Sequence, residues 1–453
     1  MKDSYVLIMA GGVGSRFWPV SRTAKPKQFI DILGTGKTLI QHTYDRFAAL
    51  LPEENIFIVT NDIYKDLIKK QLPLLADHQV LCEPIMRNTA PCIAYGANKI
   101  KKINSNASIV VAPSDHLIVD TNAFLKAIEQ SLEAASENDC LITLGIQPSR
   151  PDTGYGYIKY APKAETGISK VLTFTEKPPL ETAKLFLAEG NYAWNAGIFV
   201  WTTLSVLKAF MHHVPDIYKI FERGLPHYNT DSESQYIAHH YDEANNISVD
   251  YAILEKAENV YTIPSDIGWS DLGTWTSLFE ESSHDTNKNA CNTIQLLSKD
   301  STGNMVRSQN GKLVVLGGLH NFIVIDEKDA DRFISHFFPE IDKSDLLEGA
   351  KLSPKILLVE PGKKLSWQYH HRRAEIWKLI RGKAAVATSD TDKEKNRVVL
   401  QVGDIVRLKQ GERHRLIGLE DEWGVVAEIW MHTDPLKPSD EDDIVRLQDD
   451  FGR

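Results

Sequence analysis

From Val6 to about residue 285, short apolar runs alternate with longer amphipathic segments. Val6-Leu7-Ile8-Met9-Ala10 is apolar without interruption, the pattern of a strand buried on both faces, and Gly11-Gly12-Val13-Gly14 follows it at once. Leu39, Ile40, Thr43, Phe47 and Leu50 then recur at helical spacing. Residues 56–60 predict a second strand and 62–71 a helix. The runs 80–82 and 109–112 predict two more strands, separated by a helix over 90–103. Strands alternating with helices of this length imply β-α-β units. The expectation is therefore an α/β, Rossmann-like domain on a mostly parallel sheet, with ligands beyond the carboxyl ends of its strands.

The rhythm changes near Thr293. As far as Ile325 the stretches are short and β-like, broken by Gly303-Asn304, Asn310-Gly311 and Gly317-Gly318, which suits a small β or β-helical connector. The last part of the chain is again rich in β pattern, at 356–359, 384–387 and 424–429. Glycines and polar turns punctuate it, as in an all-β sandwich or barrel. The polar stretch 390–397 reads as an exposed hairpin tip. The expected boundaries are 1–285, 286–345 and 346–453, without internal repeats.

Composition narrows the functional classes. Against 51 Lys and Arg the chain carries 61 Asp and Glu, a net charge of −10, which disfavours a dedicated nucleic-acid binder because such a protein needs a basic face. Small phosphorylated ligands stay open, since a few local cations suffice for them. No apolar run approaches the ~18 residues of a membrane span, and the early acid at Asp3 argues against a signal peptide. The four cysteines form no C-x-x-C pair and read as reduced thiols of a cytoplasmic protein.

Candidate chemistry begins at the first turn. A glycine-rich turn after a first strand lets backbone N–H groups approach a phosphate unobstructed, and Arg16 and Lys27 could neutralise a polyphosphate there. Two familiar motifs are excluded. Phe17 stands where a dinucleotide fingerprint needs its third glycine, and Asp31 stands where a P-loop ending in Gly36-Lys37-Thr38 needs its first. Asp115 follows the apolar run 109–112, where it could cap a helix or face a ligand.

The stretch Gly11–Phe29, with Lys25-Pro26-Lys27-Gln28-Phe29 at its end, resembles the signature of the sugar-nucleotide pyrophosphorylases in the form used by mannose-1-phosphate guanylyltransferases. Further matches follow in order. They are Glu83-Pro84-Ile85-Met86-Arg87-Asn88-Thr89, Pro113-Ser114-Asp115-His116, Thr153-Gly154-Tyr155-Gly156, Phe174-Thr175-Glu176-Lys177-Pro178, Trp194-Asn195-Ala196-Gly197, Asp250-Tyr251-Ala252 and Gly268-Trp269-Ser270-Asp271. The resemblance implies a GMP transfer from GTP to mannose 1-phosphate, giving GDP-mannose and pyrophosphate. It implies Mg²⁺ (or Mn²⁺) on Asp115 and Asp271, with Arg16 and Lys27 completing the catalytic set. Gly11, Gly12, Gly14, Ser15, Arg16, Lys27, Glu83, Arg87, Asn88 and Ser114 are implied for the nucleotide; Gly156, Glu176, Lys177 and Asn195 are implied for the sugar phosphate.

Near the C-terminal end, Gln368 and His370 alternate onto one strand face and Glu375 follows across a turn, while His414 adds a further imidazole. Mixed N/O ligation of this kind suits Zn²⁺ or a neighbouring transition metal. The segment from Gly362 to Gly382 is similar to the cupin motif of type II phosphomannose isomerases. Arg372 and Ile376 stand where that family usually has histidine, and Lys409 where it usually has proline, so isomerase activity is left open. Two alternatives accompany this reading: a transferase for another hexose 1-phosphate with a non-catalytic cupin, or a sugar-nucleotide-binding regulator. The expected partners are these small molecules and, as an option, a second copy in a homodimer; nucleic acid and membranes are not expected.

Overall fold

The computed structural model describes residues 2–12, 17, 20–162, 167–291, 295–308, 313–325, 337–340, 352–419, 422–434, 437, 439 and 443–448. Gly14, Ser15 and Arg16 lie outside the described residues. The chain divides into two compact units, 1–326 and 327–453.

The first unit is built on one nine-stranded sheet. Its strands are β1 (Ser4–Met9), β2 (Ile56–Asn61), β3 (Val80–Glu83), β4 (Ser108–Pro113), β6 (Leu141–Ile146), β7 (Tyr157–Tyr160), β8 (Ser169–Thr175), β9 (Tyr192–Thr202) and β10 (Val260–Ser265). A short β5 (Leu117–Ile118) pairs instead with β11 (Trp269–Ser270). The order across the sheet is β3-β2-β1-β4-β9-β6-β10-β8-β7. Successive residues of β1 and β2 point to opposite faces. Leu7, Phe57 and Val59 enter one core with Ile109 and Val111, while Val6, Ile8, Ile56 and Ile58 enter the other with Val110. Burial on both faces explains the unbroken apolar runs, and each such aliphatic side chain contributes roughly 1.5–3 kcal/mol.

The sheet is parallel only in part. β3, β2, β1 and β4 run parallel as expected, and β10 runs parallel to β6, but β9 lies antiparallel between β4 and β6. β7 and β8 complete the far edge antiparallel. The expectation of a mostly parallel sheet thus holds for the first half and is corrected to a mixed sheet in the second. There the strand-to-strand links no longer repeat the simple helical crossover.

Helices α1 (Leu39–Ala48), α2 (Lys65–Gln71), α3 (Thr89–Ile103) and α4 (Thr121–Glu137) flank the sheet. The helix expected over 62–71 opens as a 3₁₀ turn, Asp62–Tyr64, capped by the Asn61 side chain. Helix α3 packs so closely on β1 that a Cβ at Gly96 would lie 2.4 Å from Leu7 Cδ2, so any larger residue would have to displace that buried side chain.

After β11 the chain winds into a small parallel coil: β12 (Ala290–Cys291), β13 (Gln295–Lys299), β14 (Met305–Arg307), β15 (Leu313–Gly317) and β16 (Ile323–Ile325). β14 pairs in parallel with β12 and β16, and β13 with β15. Ala290 and Met305 join Phe17, Ile32, Leu39 and Leu272 in a shared apolar cluster, and Arg307 donates to the carbonyls of Asp31 and Ile32.

The second unit is all β, as expected. One sheet takes β17 (Leu352–Val359), β19 (Arg373–Arg381), β22 (Ile405–Leu408) and β24 (Gly424–His432) in the order β17-β24-β19-β22. The other takes β18 (Trp367–His370), β20 (Ala384–Ser389), β21 (Asn396–Leu400), β23 (Arg413–Gly418) and β25 (Ile444–Gln448) in the order β21-β20-β23-β18-β25. β20 and β21 form the hairpin whose tip was expected to be exposed, and residues 390–397 are exposed. All four cysteines are free thiols. Among the described residues no helix is long and apolar enough to cross a membrane.

Candidate functional sites

The turn after β1 is held from below. Gln28 Nε2 donates to the carbonyls of Ala10 and Gly12 at 3.1 and 2.9 Å, and Thr60 Oγ1 donates to Ala10 O. Glu83, at the end of β3, is buried beside the turn. Its Oε2 would lie 3.6 Å from a Cβ at Gly11, and its Oε1 accepts from Tyr241 Oη. Burial pushes the Glu83 carboxyl up to about 7, against the opposing effect of the Tyr241 hydrogen bond.

Lys27 is the centre of this region. Its ammonium, almost fully buried, contacts Asp115 Oδ2 at 2.7 Å and donates to the carbonyls of Asp271 at 2.8 Å and Leu272 at 3.1 Å. Three donors are thereby spent, one on a segment 88 residues away and two on a segment more than 240 residues away in sequence. Asp115 follows β4, as expected, and its side chain keeps 31% of its surface exposed. Burial works to raise its pKa, but the Lys27 ammonium and the neighbouring His116 outweigh this and hold it below the ordinary carboxylate value. Asp271 Oδ1 accepts from Tyr155 Oη at 2.8 Å and from the Gly273 N–H at 3.0 Å. His116 Nδ1 accepts from Trp269 Nε1 at 3.1 Å.

Beside these groups lies a cavity of about 230 Å³ that Gly156, Glu176, Asn195, Asp250 and Asp271 help to line. A Cβ at Gly156 would come within 2.4 Å of Glu176 Oε2, so a larger residue would displace that carboxylate. Lys177 Nζ pairs with Glu176 Oε1 at 2.9 Å. Asn195 bridges Thr143 and Asp250.

The structure thus gathers Lys27, Asp115, Asp271, Gly156, Glu176, Lys177 and Asn195 around one region. Ser114 is buried, its N–H bound to Met9 O. Arg87 is directed elsewhere, its Nη2 donating to Asp242 O at 3.0 Å, and Asn88 caps α3. Asn88, Lys177 and Leu272 all have positive φ, at 65°, 48° and 44°. Such conformations cost of order 1–3 kcal/mol each and concentrate at functional sites.

A second cluster occupies the β unit. Ligand atoms of His370, Glu375 and His414 lie within 4.8 Å of one another, and all three residues are buried. His414 Nδ1 faces the carbonyl of Glu412 at 2.9 Å, which fixes the proton there. His414 Nε2 then points a lone pair towards Glu375 Oε2 at 3.3 Å and has no hydrogen-bond partner among the described residues. Gln368, expected as a fourth ligand, stands 3.5 Å from His370 Nε2 through its amide nitrogen, while its Oε1 accepts from Ser366.

Sequence reasoning missed three members of this cluster. Arg373 Nε donates to Glu375 Oε1 at 2.7 Å, and Trp377 Nε1 sits 3.0 Å from Glu375 Oε2 and 2.8 Å from Glu428 Oε1. Burial against Glu375 pushes the Glu428 carboxyl well above its ordinary value. Alternation along β19 was the available signal, because Arg373, Glu375 and Trp377 share a face. The departures at 372 and 376 fall outside the cluster. Ile376 packs on the opposite face against Phe338, Ala427 and Ile429, and Arg372 pairs with Asp443 at 3.1 Å.

Comparison with known proteins agrees with this division. Residues 5–288 match the family described as Nucleotidyl transferase, and residues 328–449 match that described as Mannose-6-phosphate isomerase C-terminal. The alginate biosynthesis protein AlgA of Pseudomonas aeruginosa is 32% identical over 99% of this chain and 97% of its own length. The mannose-1-phosphate guanylyltransferase of Salmonella montevideo is 32% identical over 99% of each. Among solved structures, one from Thermus thermophilus, described as a mannose-1-phosphate geranyltransferase, aligns with a TM-score of 0.64 at 30% identity, covering 72% of this chain and 92% of its own.

Proposed function

The chain belongs to the nucleotidyl transferase family, and from that premise we propose that it transfers GMP from GTP to mannose 1-phosphate, forming GDP-mannose and pyrophosphate. The observation that carries this reading is the convergence on Lys27 of Asp115 and the Asp271 segment, beside a cavity lined with sugar-hydrogen-bonding groups. An oxygen of the sugar phosphate attacks the α-phosphorus of GTP, and the bond from that phosphorus to the bridging oxygen breaks as pyrophosphate leaves. Such transfers require positioning and charge stabilisation rather than a protein nucleophile.

The turn at Gly11 and Gly12, with Gly14 and Ser15 next in sequence, admits the triphosphate, and Glu83, Asn88 and Ser114 shape the nucleotide side; Arg87, bonded to Asp242 O, would have to leave that partner to join them. Arg16 and Lys27 supply positive charge for the triphosphate and the leaving pyrophosphate. Glu176, Lys177, Asn195 and Gly156 hold the sugar phosphate. Asp115 and Asp271 would suit a hard divalent cation, Mg²⁺ or Mn²⁺, because each offers a hard carboxylate oxygen and Asp115 is held below the ordinary carboxylate value and so ionised. Bound there, the metal supplies charge neutralisation to the phosphates. A substrate pair of GTP and a sugar phosphate suits an enzyme of the cytoplasm. The proposed functional boundaries are 1–285, 286–345 and 346–453, and the structural division at 326/327 falls inside the middle segment.

The purified protein with GTP, mannose 1-phosphate and Mg²⁺ should release pyrophosphate, and chelation should stop it reversibly. Release no faster than from Asp115→Ala would refute the proposal, and a panel of other hexose 1-phosphates decides the sugar.

A second activity, mannose-6-phosphate isomerisation, is favoured by the buried His370–Glu375–His414 cluster. The unpartnered His414 Nε2 fits a nitrogen and oxygen ligand set for Zn²⁺ or a related ion. Fructose 6-phosphate formation dependent on Zn²⁺ or Co²⁺ and lost in His414→Ala is the expected result.

A further inference from the structure

Asp250 belongs to none of the residue sets assigned from sequence, yet it sits where the nucleotide side of the site meets the sugar side. The segment before it is tied to the start of α3: the Ala90 N–H donates to Ile247 O at 3.1 Å, and the Val249 N–H donates to Thr89 Oγ1 at 2.9 Å. The chain then makes one π-helical turn, Asp250–Leu254, a geometry frequent at functional sites.

Asp250 Oδ1 accepts from Asn195 Nδ2 at 2.9 Å. The orientation of that amide is itself fixed, because Asn195 Oδ1 accepts from Thr143 Oγ1 at 2.8 Å and from the Gly197 N–H at 3.1 Å. Asp250 and Glu176 line the same cavity. Burial, with the Glu176 carboxylate next in effect, pushes the Asp250 carboxyl up to about 6. Placing two carboxyl groups in one partly desolvated cavity costs stability, which the Asn195 hydrogen bond offsets only in part. Paired acceptors in a sugar-sized cavity do suit a polyhydroxylated ligand, whose O–H groups each need one.

We propose that Asp250 is a sugar-reading residue: its carboxylate, with that of Glu176, accepts ring hydroxyls of the hexose 1-phosphate and so sets which hexose reacts. This rests on the nucleotidyl-transfer reading and adds to it the residue that selects the sugar. A site built to bond a particular hydroxyl rejects an analogue lacking it far more strongly than an apolar pocket would.

The test crosses variants with substrates. Wild type, Asp250→Asn and Asp250→Ala are assayed for pyrophosphate release with mannose 1-phosphate and with its monodeoxy analogues, and GTP affinity is measured separately by titration. In wild type, deleting one ring hydroxyl should lower kcat/KM at least tenfold. In both variants, KM for mannose 1-phosphate should rise at least tenfold with GTP affinity within twofold of wild type, and the penalty for that same deletion should shrink at least fivefold. An unchanged deletion penalty in the variants overturns the proposal. Loss of GTP affinity in step with sugar affinity also overturns it, because Asp250 would then be a structural strut. An inactive wild type would instead refute the transferase reading itself.

Discussion

The two candidate sites solve the burial of charge in opposite ways. Around Lys27, charged groups come from loops far apart in sequence, and Asp115 keeps a third of its side chain exposed. In the β unit, His370 and His414 come from adjacent strands of one sheet and Glu375 from a strand of the other, and all three are closed from solvent, with side-chain exposures of 1–2%. The first arrangement leaves room for phosphates and sugar to bring charge of their own. The second is nearly complete within itself, as Arg373 and Trp377 already occupy the oxygens of Glu375. An assembled-by-loops site is sensitive to any link between its segments. A strand-built site is sensitive to the face on which each side chain sits.

The strongest way to break this contrast is at Lys27. Lys27→Met should lower guanylyltransferase kcat/KM about 100- to 1,000-fold, through loss of both a phosphate-side charge and the bond joining the two aspartate segments. Metal binding by the β unit, followed by titration, should be unchanged. A fall below tenfold would show that Lys27 holds nothing essential together.

Next comes Ile376→His, which installs the residue usual in similar cupins. Because Ile376 is fully buried on the face away from Glu375, the imidazole should cost about 2–4 kcal/mol in urea unfolding and leave metal affinity unchanged. A gain in metal affinity would mean that the two faces of β19 are not separate.

The most gradual effect concerns pH. Glu83 is raised to about 7 from an ordinary 4.5, so the folded protein keeps a proton that the unfolded chain releases. Its contribution to stability is therefore present in full below about 4.5 and declines as pH rises to about 7, by at most about 1.4 kcal/mol per pH unit. Glu83→Gln should flatten that decline in unfolding measured from pH 4 to 8. An unaltered slope would place the titration elsewhere.

Much of the first unit was legible in the chain itself. Strands buried on both faces announce themselves as unbroken apolar runs, so β1 to β4 and the position of Asp115 after β4 follow from pattern alone. The antiparallel β9 did not, because its direction depends on a long connection rather than on its own residues. Lys27 reads as a phosphate-side cation, while its three bonds to Asp115, Asp271 and Leu272 exist only once distant loops meet. Asp250 was visible within the Asp250-Tyr251-Ala252 match but carried no role there, because its place beside Asn195 exists only in the fold. In the β unit, the grouping of His370, Glu375 and His414 was readable from sequence. Arg373 and Glu428 were not, because a charge in a strand ordinarily marks a solvated face.

The alternation along β19 carries a further consequence for how the chain can err. Glu375 pairs with Trp430 and Ile376 with Ile429 across the ladder to β24. A slip of one residue would exchange two populations at once, bringing isoleucine among the imidazoles and a carboxylate against Phe338. Every intermediate with that misregister would bury a charge without a partner, so the acid that serves the site also proofreads the fold.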